Sequence, residues 1–274
     1  MTGDGGAGAG TETGDGTARD REVAADGPRA VAVNVGANTN EPGFRAPVDA
    51  DGRFEFVPIP EDEPTRVPVP TYADLDLSMD VPESVLDTPV HMDPEFAELP
   101  TCERYTYGDP FGVKARPLLE LRAGDYALFY ATLETASEDP PSWQPPRWGA
   151  YLVGGFRLAA DPLTGEEYRA LDDAGRRPFA NNAHVKRETF DARVLLHGDP
   201  DASGLYDRAV PLSAPTGGTD ANRLVTELSA DSGAGPWWRR PLRFDAAATA
   251  ELRAVLAGDP AEALDARVPD TDGE

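Results

Sequence analysis

Short apolar runs separated by glycine- and proline-rich loops constrain the fold of this chain more than any other feature. The clearest runs are 29–35, 53–59, 126–133 and 149–160, and their residues favour strands. The last two form an expected antiparallel pair across a long hairpin, in which the two glycines at 154–155 indicate a bulge or a close backbone approach. The pattern predicts an α+β fold with a mainly antiparallel sheet and a few short helices.

Weaker patterns predict the remaining elements. Because proline restricts its own backbone and that of the preceding residue, the acidic segment 60–100 is expected to be a surface excursion with short helical turns at most. The last third of the chain is expected to contain a short helix at 161–172, strands at 192–197 and 206–213 separated by a turn at 198–204, and an amphipathic helix at 245–257.

Length and composition indicate one domain. With 274 residues, 40% of them hydrophobic, the chain is long enough for a single core, which we place at 29–262. The acidic ends, 1–28 and 263–274, are expected to be disordered because they have little apolar surface to offset the entropy of ordering. The single Cys102 cannot form an intramolecular disulfide and no apolar run would span a membrane, so we expect a cytoplasmic protein without a membrane partner.

The charge of the chain predicts adaptation to salt. Asp and Glu number 49 against 25 Lys and Arg, for a formal net charge of -24. Such self-repulsion is tolerated in concentrated salt, which indicates a halophilic source. Only Lys114 and Lys186 are lysines, and all other basic residues are arginines. Strong screening weakens any inference from net charge to the partner, so local chemistry must identify it.

Most standard catalytic signatures are absent from the sequence. There is no GxxxxGK[ST], GxGxxG, GxSxG, HExxH or paired CxxC motif, and no cofactor is indicated. The three histidines and the cysteine are scattered at 91, 184, 197 and 102, so a His/Cys metal site is not predicted, although carboxylates remain possible ligands for Mg²⁺. His91 and His197 are expected to be structural.

Three polar segments carry the candidate site residues. The loop after the first strand offers Asn38, Asn40 and Arg45, since a Gly/Asn loop exposes backbone donors and amide side chains together. A second polar loop contains Asn181, Asn182, His184, Lys186 and Arg187. A third segment contains Asp109 and Lys114. His184 and Lys186 are the predicted catalytic pair and the others the predicted ligand-binding set.

Each segment also has a purely structural interpretation. In the first loop, Asn and Gly supply left-handed turn geometry. In the second, the amide side chains form hydrogen bonds to the backbone, and the two lysines form salt bridges. The cluster at 237–240, Trp-Trp-Arg-Arg, either stacks a base or packs into the core with its arginines extended to solvent. These alternatives stay open at the level of sequence.

Several segments, taken in order, resemble the nucleotide modification associated domain 3 family. They are VNVGANTNEPGFRAPVDADGRFEFVPIPE, YGDPF, LRAGDYALFYATLE, WGAYLVGGFRL, NNAHVKR and LLHGDPDASGLYDRAVPLS, and they cover most of residues 30–215. The resemblance implies an α+β protein linked to base modification, with a nucleotide or nucleic acid as partner. It identifies no catalytic residues.

A local likeness to PUA-like domains covers AGDYALFYAT and GAYLVGGFRLAA, at 123–132 and 149–160. It implies a barrel-like sheet and the recognition of a modified base. Two hypotheses follow. In the first, an enzyme or enzyme partner acts on a nucleotide or modified base, with phosphate held by Arg45, Lys186 and Arg187 and a proton moved by His184. In the second, a non-catalytic module reads a modified base by aromatic stacking and amide hydrogen bonds.

Overall fold

A computed structural model describes residues 27–258 of the chain. Almost all of the predicted N-terminal tail, and the whole of the predicted C-terminal tail at 263–274, lie outside the described residues. The twelve strands of the described part are β1 (Ala30–Asn34), β2 (Pro47–Val48), β3 (Ile59–Pro60), β4 (Val90–His91), β5 (Thr106–Asp109), β6 (Tyr126–Thr135), β7 (Trp148–Leu158), β8 (Leu163–Thr164), β9 (Val194–Pro211), β10 (Ser213–Ala214), β11 (Gly217–Ala221) and β12 (Leu242–Phe244).

Eight of these strands form one sheet in the order β12-β1-β6-β7-β9-β5, with β2 added to β6 and β8 added to β9. The sheet curves into a half-barrel. Its pairs are antiparallel except for β1 and β2, which both run parallel to β6. The prediction of α+β is consistent with this architecture, and most pairs are antiparallel as predicted, but the two parallel pairs make the sheet mixed rather than purely antiparallel. The strand β2 follows β1 along the same edge of β6, and the long connection between β2 and β6, residues 49–125, makes the parallel pairing possible.

Both faces of the central strands are buried, which explains their nearly continuous apolar sequences. Along β1, Val31 and Val33 pack into the larger core cluster, whereas Ala30 and Ala32 pack into a second cluster on the opposite face. The alternation follows from the two-residue period of a strand. The hairpin of β6 and β7 is confirmed, and its register shifts next to Gly154, where the sequence predicted a bulge.

The helices are short and lie around the sheet. They are α1 (Gly112–Leu118), α2 (Gly165–Ala170), α3 (Asp173–Arg176), α4 (Ala183–Lys186) and α5 (Ala246–Leu256), together with 3-10 turns at Tyr72–Asp74, Glu83–Val85, Arg177–Phe179 and Trp237–Arg239 and a π-turn at Leu224–Leu228. The predicted C-terminal helix is confirmed as α5, which begins after Asp245, a residue whose side chain accepts a hydrogen bond from Ala248 N.

Two predicted elements differ in extent. The segment 53–59 contains only an isolated bridge at Phe54 before β3, because the prolines that flank Ile59 limit ladder hydrogen bonding. The predicted helix at 161–172 begins four residues later, since Thr164 and Glu167 form a reciprocal capping box at the start of α2.

The other two differences concern whole segments. The strand β9 continues through 198–204, where a turn was predicted, because Gly198, Ser203 and Gly204 pair with β7; the register shifts across the four residues between Gly198 and Ser203. In the segment 60–100, residues 62–89 are mostly exposed and contain only short helical turns, as predicted, but residues 90–96 are buried and Phe96 lies in the larger core. There β4 pairs with β3 in a separate two-stranded sheet. None of the described helices combines the length and apolar character needed to cross a membrane.

Candidate functional site

A cleft of about 570 Å³ opens where four distant parts of the chain meet. Its walls come from the loop after β1, from β3 and the residues around β4, from β5 with the start of α1, and from α4 with the residues that follow it. Two of the three histidines of the chain, His91 and His184, lie on its floor, and their ring centroids are 4.7 Å apart.

His91 is held in place by a carboxylate. Its ring is 5% exposed, and Nδ1 lies 2.5 Å from Glu61 Oε2. Because an ionised carboxylate only accepts hydrogen bonds, Nδ1 carries the proton and donates it to Glu61. The other ring nitrogen, Nε2, lies 3.9 Å from Asp93 Oδ2, which is beyond hydrogen-bond distance. The ring therefore presents Nε2 toward Asp93 and the cleft.

His184 repeats this arrangement from the opposite wall. Its Nδ1 lies 2.8 Å from Asp191 Oδ1, and its Nε2 lies 3.3 Å from Asp93 Oδ2. Burial by itself would lower the pKa of His184, but the hydrogen bonds to Asp191 and Asp93 outweigh it and raise the pKa to about 9. The two carboxylates thus favour the imidazolium form of His184.

Arg187 joins the two carboxylates behind the histidines. Its Nη2 lies 2.8 Å from Glu61 Oε1 and its Nη1 lies 2.6 Å from Asp191 Oδ2. Burial would raise the pKa of Glu61, but hydrogen bonds from His91 and Arg187 lower it to about 2. The pKa of Asp191 is likewise lowered by His184 and Arg187 against the effect of burial. Both carboxylates are therefore ionised and fixed.

Asp93 sits between the two imidazoles and is anchored from below. Its Oδ1 accepts a hydrogen bond from Asn182 Nδ2 at 3.0 Å, and Gly108 N donates to both carboxylate oxygens, at 2.9 Å to Oδ2 and 3.1 Å to Oδ1. Asn182 is fully buried and caps α4 by accepting a hydrogen bond from His184 N. The absence of a side chain at position 108 is required here, because a Cβ atom would lie 2.6 Å from His184 Cδ2.

A second polar group lines the wall formed by β5 and α1. Asp109 is 3% exposed, accepts a hydrogen bond from Tyr107 Oη at 3.0 Å, and lies 3.5 Å from Lys114 Nζ. Burial raises the pKa of Asp109, although Lys114 partly offsets the effect. Lys114 Nζ also donates to the carbonyl oxygen of Asn34 at 2.8 Å, and so ties α1 to the end of β1.

An aromatic ring stands at the mouth of the cleft. Phe111 lines the cleft and is 68% exposed, which is unusual for a residue of this size and type. Its neighbour Val113 is 72% exposed but does not line the cleft. Phe111 therefore offers an uncovered ring face beside the polar floor.

The structure brings together five of the predicted site residues as cleft-lining side chains, namely Asn38, Asp109, Lys114, His184 and Arg187. The two polar loops on which the prediction depended thus converge in space. Asn182 lies directly beneath the floor and holds Asp93, so it supports the site rather than lining it.

The other four predicted residues do not line this cleft. Asn40 is exposed, and Asn181 binds Glu95 and the carbonyl of Thr101. Arg45 stacks on Trp148, with its guanidinium carbon 4.4 Å from the ring centroid. Lys186 ends α4, and its backbone carbonyl accepts a hydrogen bond from Arg66 N.

Sequence reasoning missed His91, Asp93, Glu61 and Asp191, all of which belong to the site. One local signal was present. His91 and Asp93 are two residues apart, and a tight turn in which Asp93 N donates to the carbonyl oxygen of His91 at 2.8 Å keeps both side chains at the cleft. The pairing with His184 had no local signal, because the residues are distant in the chain.

The tryptophan cluster at 237–240 packs inside the protein. Trp237 is fully buried and donates from Nε1 to the carbonyl oxygen of Thr219 at 2.9 Å. Trp238 packs edge-on against Trp148. The core-packing interpretation of this cluster is thus the one that its surroundings support.

The ligand set of the floor is suited to a metal ion. One potential ligand atom from each of His91, Asp93 and His184 lies within 4.8 Å of the others, and all three side chains are buried. Imidazole nitrogen and carboxylate oxygen are common ligands of first-row transition metals.

Comparison with known proteins gives one match. The family model described as nucleotide modification associated domain 3 matches residues 29–254, which is most of the chain. No curated protein and no solved structure matches the chain.

Proposed function

Because the chain belongs to the nucleotide modification associated domain 3 family, we propose that its histidine-lined cleft binds a nucleotide or nucleic-acid base and that the protein takes part in modifying it. The observation that carries this proposal is the convergence of two buried imidazoles and their carboxylates in one cleft. Four other depressions on the described surface are lined by no histidine.

The cleft offers a separate partner for each part of a nucleotide. The exposed ring of Phe111 provides a face on which a base stacks, and such stacking is sequence-tolerant because every base has a π-face. Lys114 and Arg187 are the cations that line the cleft, and they are suited to an anionic group. Asn38 adds an amide for a base edge or a sugar hydroxyl.

The buried charges favour chemistry over passive recognition. Burying an ionised group is costly unless it is paired, and this floor buries His184, Asp93, Glu61 and Arg187 in one network. Such concentrations of charge in a cleft are a mark of functional sites. Reading a base by stacking and amide hydrogen bonds would need none of them.

The first test measures binding. Purified protein in molar KCl is titrated calorimetrically with nucleotides, modified nucleosides and short single-stranded DNA. Loss of stacking on Phe111 costs about 1–3 kcal/mol, so Phe111→Ala should weaken binding roughly 5- to 150-fold. Val113→Ala is the matched control, because Val113 is equally exposed and lies outside the cleft lining. Equal affinities for both variants and the wild type would refute the assigned site.

The second test measures turnover. The ligands that bind are incubated with the protein, alone and with added divalent metal ions, and the products are separated by liquid chromatography and identified by mass spectrometry. An altered nucleoside mass that disappears in Asp93→Asn supports an enzyme. Binding that persists without product under every condition would instead support the reader hypothesis.

A further inference from the structure

We propose that His91, Asp93 and His184 bind one divalent transition-metal ion, through Nε2 of each imidazole and a carboxylate oxygen of Asp93. The inference rests on the proposed function, because it assigns to the nucleotide cleft the cation that its chemistry requires. The three side chains are 5%, 6% and 2% exposed, so the site is shielded from bulk water except through the cleft.

The spacing of the ligand atoms fits such an ion. First-row metals lie about 2.0–2.2 Å from nitrogen and oxygen ligands, which places neighbouring ligands of a tetrahedral site roughly 3.3–3.6 Å apart. Asp93 Oδ2 lies 3.3 Å from Nε2 of His184 and 3.9 Å from Nε2 of His91. All three ligand atoms lie within 4.8 Å of one another, so side-chain movements of about 1 Å would bring them onto one ion.

The surroundings orient the ligands as metal sites do. A metal-binding histidine usually donates its other ring N–H to a carboxylate, which fixes the tautomer and turns the free nitrogen toward the ion. Both histidines meet this condition, since His91 Nδ1 contacts Glu61 and His184 Nδ1 contacts Asp191. Arg187 binds both of these carboxylates and so holds the two rings in a fixed relative position.

Hydrogen bonds also orient the carboxylate of Asp93. Asn182 Nδ2 donates to Oδ1, Gly108 N donates to both oxygens, and Oδ2 is the oxygen that lies against the imidazole of His184. A buried ion-pair cluster would also pair His91 Nε2, whereas the distance from this atom to Asp93 Oδ2 exceeds that of a hydrogen bond.

Charge complementarity supplies a further argument. Six Asp or Glu residues and only two Lys or Arg residues line the cleft. A nucleotide phosphate entering such a cleft would meet net repulsion, which a divalent ion on the floor would offset. Three protein ligands leave coordination positions open for water or for an oxygen of the nucleotide, and an ion so placed acts as a Lewis acid.

The direct test measures metal binding without any nucleotide. Tag-free, full-length protein is stripped with EDTA, titrated with Co²⁺ and Zn²⁺, and its metal content is measured by plasma mass spectrometry. We expect one ion per chain and the ligand-field absorption of Co²⁺ in a low-symmetry nitrogen and oxygen site. Absence of stoichiometric binding by the folded wild-type protein would overturn the proposal, and this result requires no variant.

Matched variants then locate the ion. Asp93→Asn should weaken Co²⁺ binding about 100-fold or more, and Asp191→Asn, which weakens the support of His184 and the contact with Arg187, about 10- to 100-fold. His197→Gln is the control, since the third histidine of the chain lies outside the cleft lining. Circular dichroism verifies the fold of each variant. Unchanged affinity in both aspartate variants, or an equal loss in His197→Gln, would place the ion elsewhere and refute the site.

The two proposals fail in different ways. Co²⁺ binding at the floor without affinity for any nucleotide would remove the proposed function and leave the metal site in place. Nucleotide binding that is unaffected by EDTA, in a protein that takes up no Co²⁺, would remove the metal site and leave the nucleotide cleft in place.

Discussion

Substituting Gly108 by alanine should disturb the cleft through the ring of His184. A Cβ atom at position 108 would lie 2.6 Å from His184 Cδ2, 3.2 Å from Leu195 Cδ2 and 3.3 Å from Asn182 Oδ1. Relief of the first contact requires a relative movement of about 1 Å, and overpacking of this kind costs roughly 1–3 kcal/mol. A smaller gain, about 0.4–1 kcal/mol, comes from the reduced entropy of the unfolded chain.

The same movement should loosen the site itself. His184 Nδ1 lies 2.8 Å from Asp191 Oδ1, and a displacement of about 1 Å would weaken or break this hydrogen bond. Gly108 N also donates to Asp93, so the support of both ligands is affected. We therefore expect Gly108→Ala to reduce net stability by about 1–2 kcal/mol and metal affinity by about 10- to 100-fold.

Urea unfolding at fixed KCl measures the first quantity, and Co²⁺ titration measures the second. Gly112→Ala is the matched control, because its Cβ atom would meet nothing closer than Arg193 Nη1 at 3.4 Å. At the first residue of α1, alanine should leave stability equal or slightly higher. Wild-type stability and metal affinity in Gly108→Ala would show that the His184 ring does not pack against Gly108, and the geometry described for the floor would be wrong.

Three further predictions concern parts of the protein outside the cleft. Burial and the nearby charge of Arg104 lower the pKa of His197, so the unfolded chain binds a proton at this residue more readily than the folded protein does. Stability should therefore fall as the pH drops below about 6.5, and His197→Gln should remove this part of the acid destabilisation in urea unfolding titrations. Trp237→Ala should cost about 3–5 kcal/mol in the same assay, and Trp238→Ala less, because only the first ring is fully buried. Asp245→Ala should cost about 1 kcal/mol, since it removes the N-cap of α5, whereas Asp245→Asn should largely retain the cap.

Local patterns were sufficient to predict much of the sheet and its last helix. The apolar runs that became β1, β6 and β7, and the amphipathic run that became α5, are stretches whose own residues favour the structure they adopt. The prediction failed where tertiary pairing overrides local preference. The residues at 198–204 contain turn-forming Gly, Asp and Pro, yet β9 continues through them, because Gly198 on one side of a register shift and Ser203 and Gly204 on the other pair with β7.

For the candidate site as well, local properties were predictable from the sequence and long-range contacts were not. The sequence alone identified the family, the two polar loops, and individual candidates such as His184, Asp109 and Lys114, since residue type and loop composition are local properties. Only the tertiary structure decided that His184 faces His91 and Asp93. Asp93 and Asn182 are hydrogen-bonded although 89 residues separate them in the chain, and no periodicity of strand or helix extends over such a distance. Long-range packing brings His91 of β4 against His184 of α4 and so creates the charged floor of the cleft.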